Sequence, residues 1–141
     1  MRMDQTWERG EYSISTEKHR LNVDTIHEFL TGSYWAAETT REIVERSLEH
    51  SLAFGVYHGR RQVGLARVIT DYATFAYLTD VFILEEYRGR GLSRWLVEMI
   101  MQHPELQGLR RWMLLTRDAH GLYKKVGFTA PRTPERVMEK R

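Results

Sequence analysis

Arg88-Gly89-Arg90-Gly91-Leu92-Ser93 is the stretch on which the reading of this sequence turns. Before it runs a long apolar segment, Phe75 to Leu84, that reads as a central strand, followed by a polar turn from Glu85 to Gly91. After it, Leu92, Trp95, Leu96, Met99 and Ile100 recur at the spacing of one helix face. A strand therefore ends, two glycines come at alternate positions, and an amphipathic helix begins at once. Glycine lets a backbone approach a ligand and adopt positive φ. The first N–H groups of a helix lack intrahelical partners, and the helix dipole favours an anion there. Arg88, Arg90 and Arg94 add charge-assisted contacts, so the stretch suits a diphosphate. On spacing alone, an ordinary strand-to-helix connector with solvated arginines fits equally well.

Other phosphate motifs do not fit. The sequence has no Gly-x-x-x-x-Gly-Lys-Ser/Thr. The dinucleotide pattern Gly-x-Gly-x-x-Gly fails at Arg94, and it expects a parallel βαβ unit where this chain places a meander.

Working outward, Glu11–Thr16 reads as a first strand, with residues 1–10 as a flexible lead. Asn22 caps a helix carrying Ile26, Phe29 and Leu30 that ends near Gly32. A loop with Tyr34 and Trp35 follows, then a second helix opened by a Thr39/Glu42 capping box and running to His50. Leu52–Tyr57, a Gly59-Arg60 turn and Val63–Ile69 read as a hairpin, with the central strand as its third member. Downstream of the main helix come a strand, Trp112–Thr116, a short helix, Ala119–Val126, and a last strand fragment at Val137-Met138. The order is β α α β β β α β α β: a mixed α/β domain with a mostly antiparallel sheet of six to seven strands.

The chain has 141 residues, 42% hydrophobic and 28% charged, which suits one globular domain. It has no cysteine, so disulfides, thiolate zinc sites and a cysteine nucleophile drop out together. The six histidines show no ligand spacing, so no metal is expected, and no Gly-x-Ser-x-Gly elbow occurs. Neither a membrane-length apolar run nor a signal-peptide stretch is present, which points to a soluble, cytoplasmic protein without membrane partners. The net charge of +2 with no long basic tract argues against nucleic acid.

A second stretch, Leu122-Tyr123-Lys124-Lys125-Val126-Gly127-Phe128, joins the first in order and is separated from it by one strand. Together the two stretches resemble the GNAT superfamily of N-acetyltransferases. Its Gln/Arg-x-x-Gly-x-Gly/Ala signature is matched from Arg88 to Ser93 except at the last place, where Ser93 is a small departure. The element order resembles that family from about Glu11 to Met138.

The resemblance implies acetyl-coenzyme A as cosubstrate, with its pyrophosphate on the amides of Gly89, Arg90, Gly91, Leu92, Ser93 and Arg94. It implies that the pantetheine arm pairs like an added strand with Phe82, Ile83 and Leu84. A bulge in that strand would turn an amide toward the thioester, at a position the sequence does not reveal. Tyr123 matches the family tyrosine that protonates the departing thiolate; a core aromatic is its alternative reading. Asp80, a carboxylate inside an apolar run, is the candidate base for the acceptor amine, or else a salt-bridge partner or substrate-orienting anion. Tyr34 and Trp35 fall where the family builds its acceptor pocket. The acceptor would be a small amine or a protein amino group, and a homodimer is an open option. A non-catalytic acyl-coenzyme A sensor is the rival reading.

Overall fold

In the computed structural model, which describes residues 2–141, one six-stranded sheet carries helices on both faces. The strands are β1 (Thr6–Arg9), β2 (Tyr12–Ser15), β3 (Leu52–His58), β4 (Arg61–Thr70), β5 (Phe75–Ile83) and β6 (Arg111–Leu114), adjacent in that order. All neighbours are antiparallel except β5 and β6, which run parallel. The helices are α1 (Val23–Thr31), α2 (Arg41–Glu49), α3 (Leu92–Gln102) and α4 (His120–Lys124). Among the described residues, no helix is long and apolar enough to cross a membrane.

Local chemistry sets the helix ends. Asn22 caps α1 by accepting the Thr25 N–H, and Gly32 follows its last turn. The cap of α2 is Thr40, not Thr39: its hydroxyl accepts the Ile43 N–H. Thr39 and Thr40 are adjacent candidates, and only the backbone path chooses between them.

The two faces have separate cores. On one, Ile26 and Leu30 of α1 and Val44 and Leu48 of α2 pack on Ala53, Leu65 and Phe82. On the other, Leu92, Trp95, Leu96, Val97 and Ile100 of α3 pack on Phe54, Val56, Ala66, Val68, Ala76, Leu78 and Ile83. Each fully buried large apolar side chain contributes about 1.5–3 kcal/mol. The allocation within β5 departs from a strict two-residue period, since Leu78 and Phe82 lie on opposite faces. The cause is a bulge: Leu65 pairs with Phe82 but Arg67 with Thr79, so Asp80 and Val81 together oppose Ala66. Asp80 there takes φ of 53°, a left-handed conformation that Asp tolerates better than most residues. The bulge that the sequence left unplaced is thus centred on Asp80.

Two expectations need correction at the chain ends. Thr6–Arg9 is a strand, not a flexible lead, hairpinned to β2 through Gly10 with Trp7 stacked on Phe54. Its single apolar residue leaves little periodicity to read. Val137-Met138 forms no strand: both side chains are exposed and the segment follows a single helical turn, Pro134–Arg136. Two exposed apolar residues that pack on no neighbouring strand cannot hold a ladder alone.

Candidate coenzyme and acceptor site

Gly89 and Gly91 both take φ of 77°, and a Cβ at either would meet only open space, so conformation rather than crowding demands glycine. Gly91 caps α3 without any side-chain hydrogen bond. The first backbone bond of the helix runs from the Trp95 N–H to the Gly91 carbonyl. Among the described residues, the amides from Gly89 to Arg94 donate to no backbone acceptor, so one turn carries six consecutive N–H groups without a backbone partner. The arginines are less committed to that turn than the sequence suggests. Arg88 Nε donates to the Ile83 carbonyl at 3.0 Å, Arg90 reaches the Glu86 carbonyl at 3.4 Å, and Arg94 pairs with Glu98 at 3.3 Å. They brace the turn, and the donors it leaves free are backbone N–H groups.

A cleft of about 300 Å³ runs from this turn to β5, lined by Ile83, Tyr87, Leu92 and Leu122 among others. β6 pairs with β5 only from Phe75 to Leu78, so among the described residues the β5 edge beyond Leu78 has no strand partner on that side. Phe82 and Ile83 are buried and Leu84 half-buried, with the Leu84 amide donating back to Val63. Gly64 allows this close approach, because a Cβ there would sit 2.8 Å from the Phe82 carbonyl oxygen. A larger hollow of about 430 Å³ lies beside α1, but Arg61 and Glu86, paired at 3.8 Å, line it, and it has no comparable amide cradle.

Tyr123, on α4, is buried in the α3-side core with its ring against Phe128. Burial, and secondarily the nearby Tyr34 phenol, pushes its hydroxyl up to about 12, so it holds its proton throughout the neutral range. His120 is exposed at the start of the same helix.

On the α1/α2 face, Asp80 is the hub. Its Oδ1 accepts from Trp35 Nε1 at 2.8 Å and its Oδ2 from Arg67 Nε at 2.9 Å. The Asp80 and Arg67 side chains are 9% and 15% exposed. Tyr34 packs edge-on against Trp35, carries the Arg117 guanidinium over its ring at 3.9 Å, and accepts the Arg117 amide at 3.3 Å. Tyr77 is half-buried close by; burial, then the Asp80 charge, raises its phenol, while Arg67 opposes the shift. The structure therefore brings Tyr34, Trp35 and Asp80 together on the α1/α2 face, while Tyr123 sits in the core of the other face, close enough to Tyr34 to feel its phenol. Sequence reasoning missed Arg67 and Arg117. Arg67 carried the same signal that singled out Asp80, a charge inside the apolar strand Val63–Ile69.

Comparison with known proteins supports one assignment. Residues 13–128 match the family model described as the acetyltransferase (GNAT) family. A Gibberella zeae protein whose name proposes an acetyltransferase is 38% identical over 144 residues, covering 86% of this chain and 80% of that one. A crystal structure from Xanthomonas campestris, described as a proposed acetyltransferase of the GNAT family, superposes with a TM-score of 0.90 at 50% identity, covering 92% of each chain. A Staphylococcus aureus structure at 22% identity shares the fold, with a TM-score of 0.71 over 99% of both chains.

Proposed function

The chain belongs to the acetyltransferase (GNAT) family, and from that premise we propose that it transfers acetyl from acetyl-coenzyme A directly to a primary amine. The observation that carries this reading is continuity. The row of unpaired amides at Gly89–Arg94 leads along the open edge of β5 to the bulge at Asp80. The amides offer N–H donors to a diphosphate, and the open edge past Phe82 and Ile83, ending at Leu84 whose amide and carbonyl already bond Val63 and Tyr87, gives an extended amide-bearing arm a strand to lie along. Bound acetyl-coenzyme A supplies an activated acyl group: the amine nitrogen attacks its carbonyl carbon, the C–N bond forms, the C–S bond breaks and the thiolate leaves.

This chain's residues do the rest. The bulge leaves backbone groups of Asp80 and Val81 out of the regular ladder, where an amide can stabilise negative charge on a carbonyl oxygen. Tyr123 holds a proton at its hydroxyl for the thiolate. Asp80 retains lone pairs beyond those used by Trp35 and Arg67; it orients the amine and receives its proton, directly or through water. Without a cysteine the chain offers no thiol to carry the acetyl group, which favours direct transfer.

The test pairs thermal stabilisation by acetyl-coenzyme A with thiol release across a panel of amines. Stabilisation with release supports the proposal. Stabilisation without release from any amine returns the sensor reading, and no stabilisation removes both. Within the enzyme reading, an Asp80→Asn variant with full activity at every pH excludes Asp80 as the base.

A further inference from the structure

We propose that the acceptor is an α-amino acid or a close zwitterionic relative, recognised by the Arg67–Asp80 pair; the inference rests on the acetyl-transfer reading above. Arg67 carries the argument. Its Nε is held by Asp80, but among the described residues its two terminal nitrogens donate to no protein acceptor. A guanidinium only 15% exposed thus keeps a planar fork of donors unspent. A carboxylate is the ligand whose geometry fits such a fork.

Asp80 supplies the other half. Each of its oxygens accepts one hydrogen bond, which leaves acceptor capacity for an ammonium or amine next to the bulge. Opposite charges side by side complement a molecule whose amine and carboxylate sit on one carbon. A polyamine or a lysine side chain would bring its amine to Asp80 while offering no acceptor to the terminal nitrogens of Arg67. Around the pair, the α1/α2 face is lined by residues suited to a side chain. Ile69, two residues from Arg67, pairs with Tyr77 across the strands, and Trp35 and Tyr34 stand exposed above.

Thiol release with acetyl-coenzyme A tests this on matched triplets: L-leucine, L-leucinamide and 3-methylbutylamine, then L-phenylalanine, L-phenylalaninamide and phenethylamine, with the other L-amino acids and a lysine-bearing peptide alongside. The expected result is turnover of at least one free amino acid with kcat/KM on the order of thirtyfold or more above its amide and decarboxylated partner, the size typical of losing one side of a desolvated charge pair. Arg67→Gln should raise KM for that amino acid and bring the triplet to parity, with Arg67→Lys recovering part of the difference. Equal or better turnover of the masked, decarboxylated or peptide acceptors overturns the inference while acetyl transfer stands. So does an Arg67→Gln effect that is uniform across the triplet. The wild-type comparison decides the matter even where a variant fails to fold. Thermal stabilisation by acetyl-coenzyme A with no turnover of any acceptor overturns the inference and the enzyme reading together but leaves coenzyme binding intact.

Discussion

The turn at Gly89–Arg94 and the face around Asp80, the sites proposed for the diphosphate and for the acceptor, are made from different material. The turn offers backbone amides contributed by six consecutive residues. The face offers side chains from Trp35, Arg67 and Asp80, up to 45 positions apart, tied by two hydrogen bonds. A backbone site tolerates changes in side chains and fails when φ is forced; a side-chain site fails when any one partner is lost. The braced arginines of the turn underline the point, because Arg88, Arg90 and Arg94 spend donors on the protein itself.

The largest break in this comparison is expected at the residue that serves neither recognition task. Tyr123→Phe should lower kcat by about 10²–10⁴-fold with little change in acetyl-coenzyme A affinity, the usual size of a general-acid contribution, read by thiol release where chemistry limits the rate. Unchanged turnover would return Tyr123 to the core. Asp80→Val comes next: it forces a β-branched residue into the left-handed region and strips Arg67 of its partner, costing roughly 2–4 kcal/mol in urea unfolding. Asp80→Asn keeps the local conformation and an acceptor for Trp35, and should cost only about 1 kcal/mol. Equal losses from the two would deny the bulge its role.

Smaller effects sharpen the backbone side. Gly91→Ala should weaken acetyl-coenzyme A binding and stability together by ~1–2 kcal/mol, the cost of left-handed φ for a residue with Cβ. Arg90→Ala should reduce affinity by no more than about fivefold, an effect that shrinks further as salt is added. Titration calorimetry on both variants would overturn the backbone-cradle view if the arginine mattered more than the glycine.

Acid sensitivity should belong to neither region. His103 is buried among Trp7 and Phe54 with Nδ1 accepting the Glu105 N–H, and burial lowers its pKa, opposed by Glu105. Between its folded pKa and the ordinary value of about 6.5, the unfolded chain binds a proton that the folded chain does not. Its contribution to stability is therefore complete above about pH 6.5 and declines as pH falls toward the folded value. Urea midpoints measured from pH 7.5 to 5 should fall for the wild type and fall less for His103→Gln; parallel profiles would clear His103.

Much of the fold was legible because its signals are local. The caps at Asn22 and Gly32, the period of α3 and the apolar runs of β3 and β4 each sit within one element. The errors fell where the signal was too short. Thr6–Arg9 is held by Trp7 against Phe54 rather than by its own pattern, and Val137-Met138 had the right residue types but no neighbour to pair with.

The same division runs through the site. Sequence by itself determined the glycine turn, the strand before it, the helix after it and the presence of Tyr123, because a turn of this kind needs only consecutive residues with the right φ and free N–H groups. Tertiary structure alone decided that β5 bulges at Asp80, that β6 leaves its edge open after Leu78, and that Arg67 and Trp35 converge on one carboxylate. Register and side-chain convergence arise from contacts between segments far apart in the chain, and no local pattern encodes which distant partner a side chain will meet.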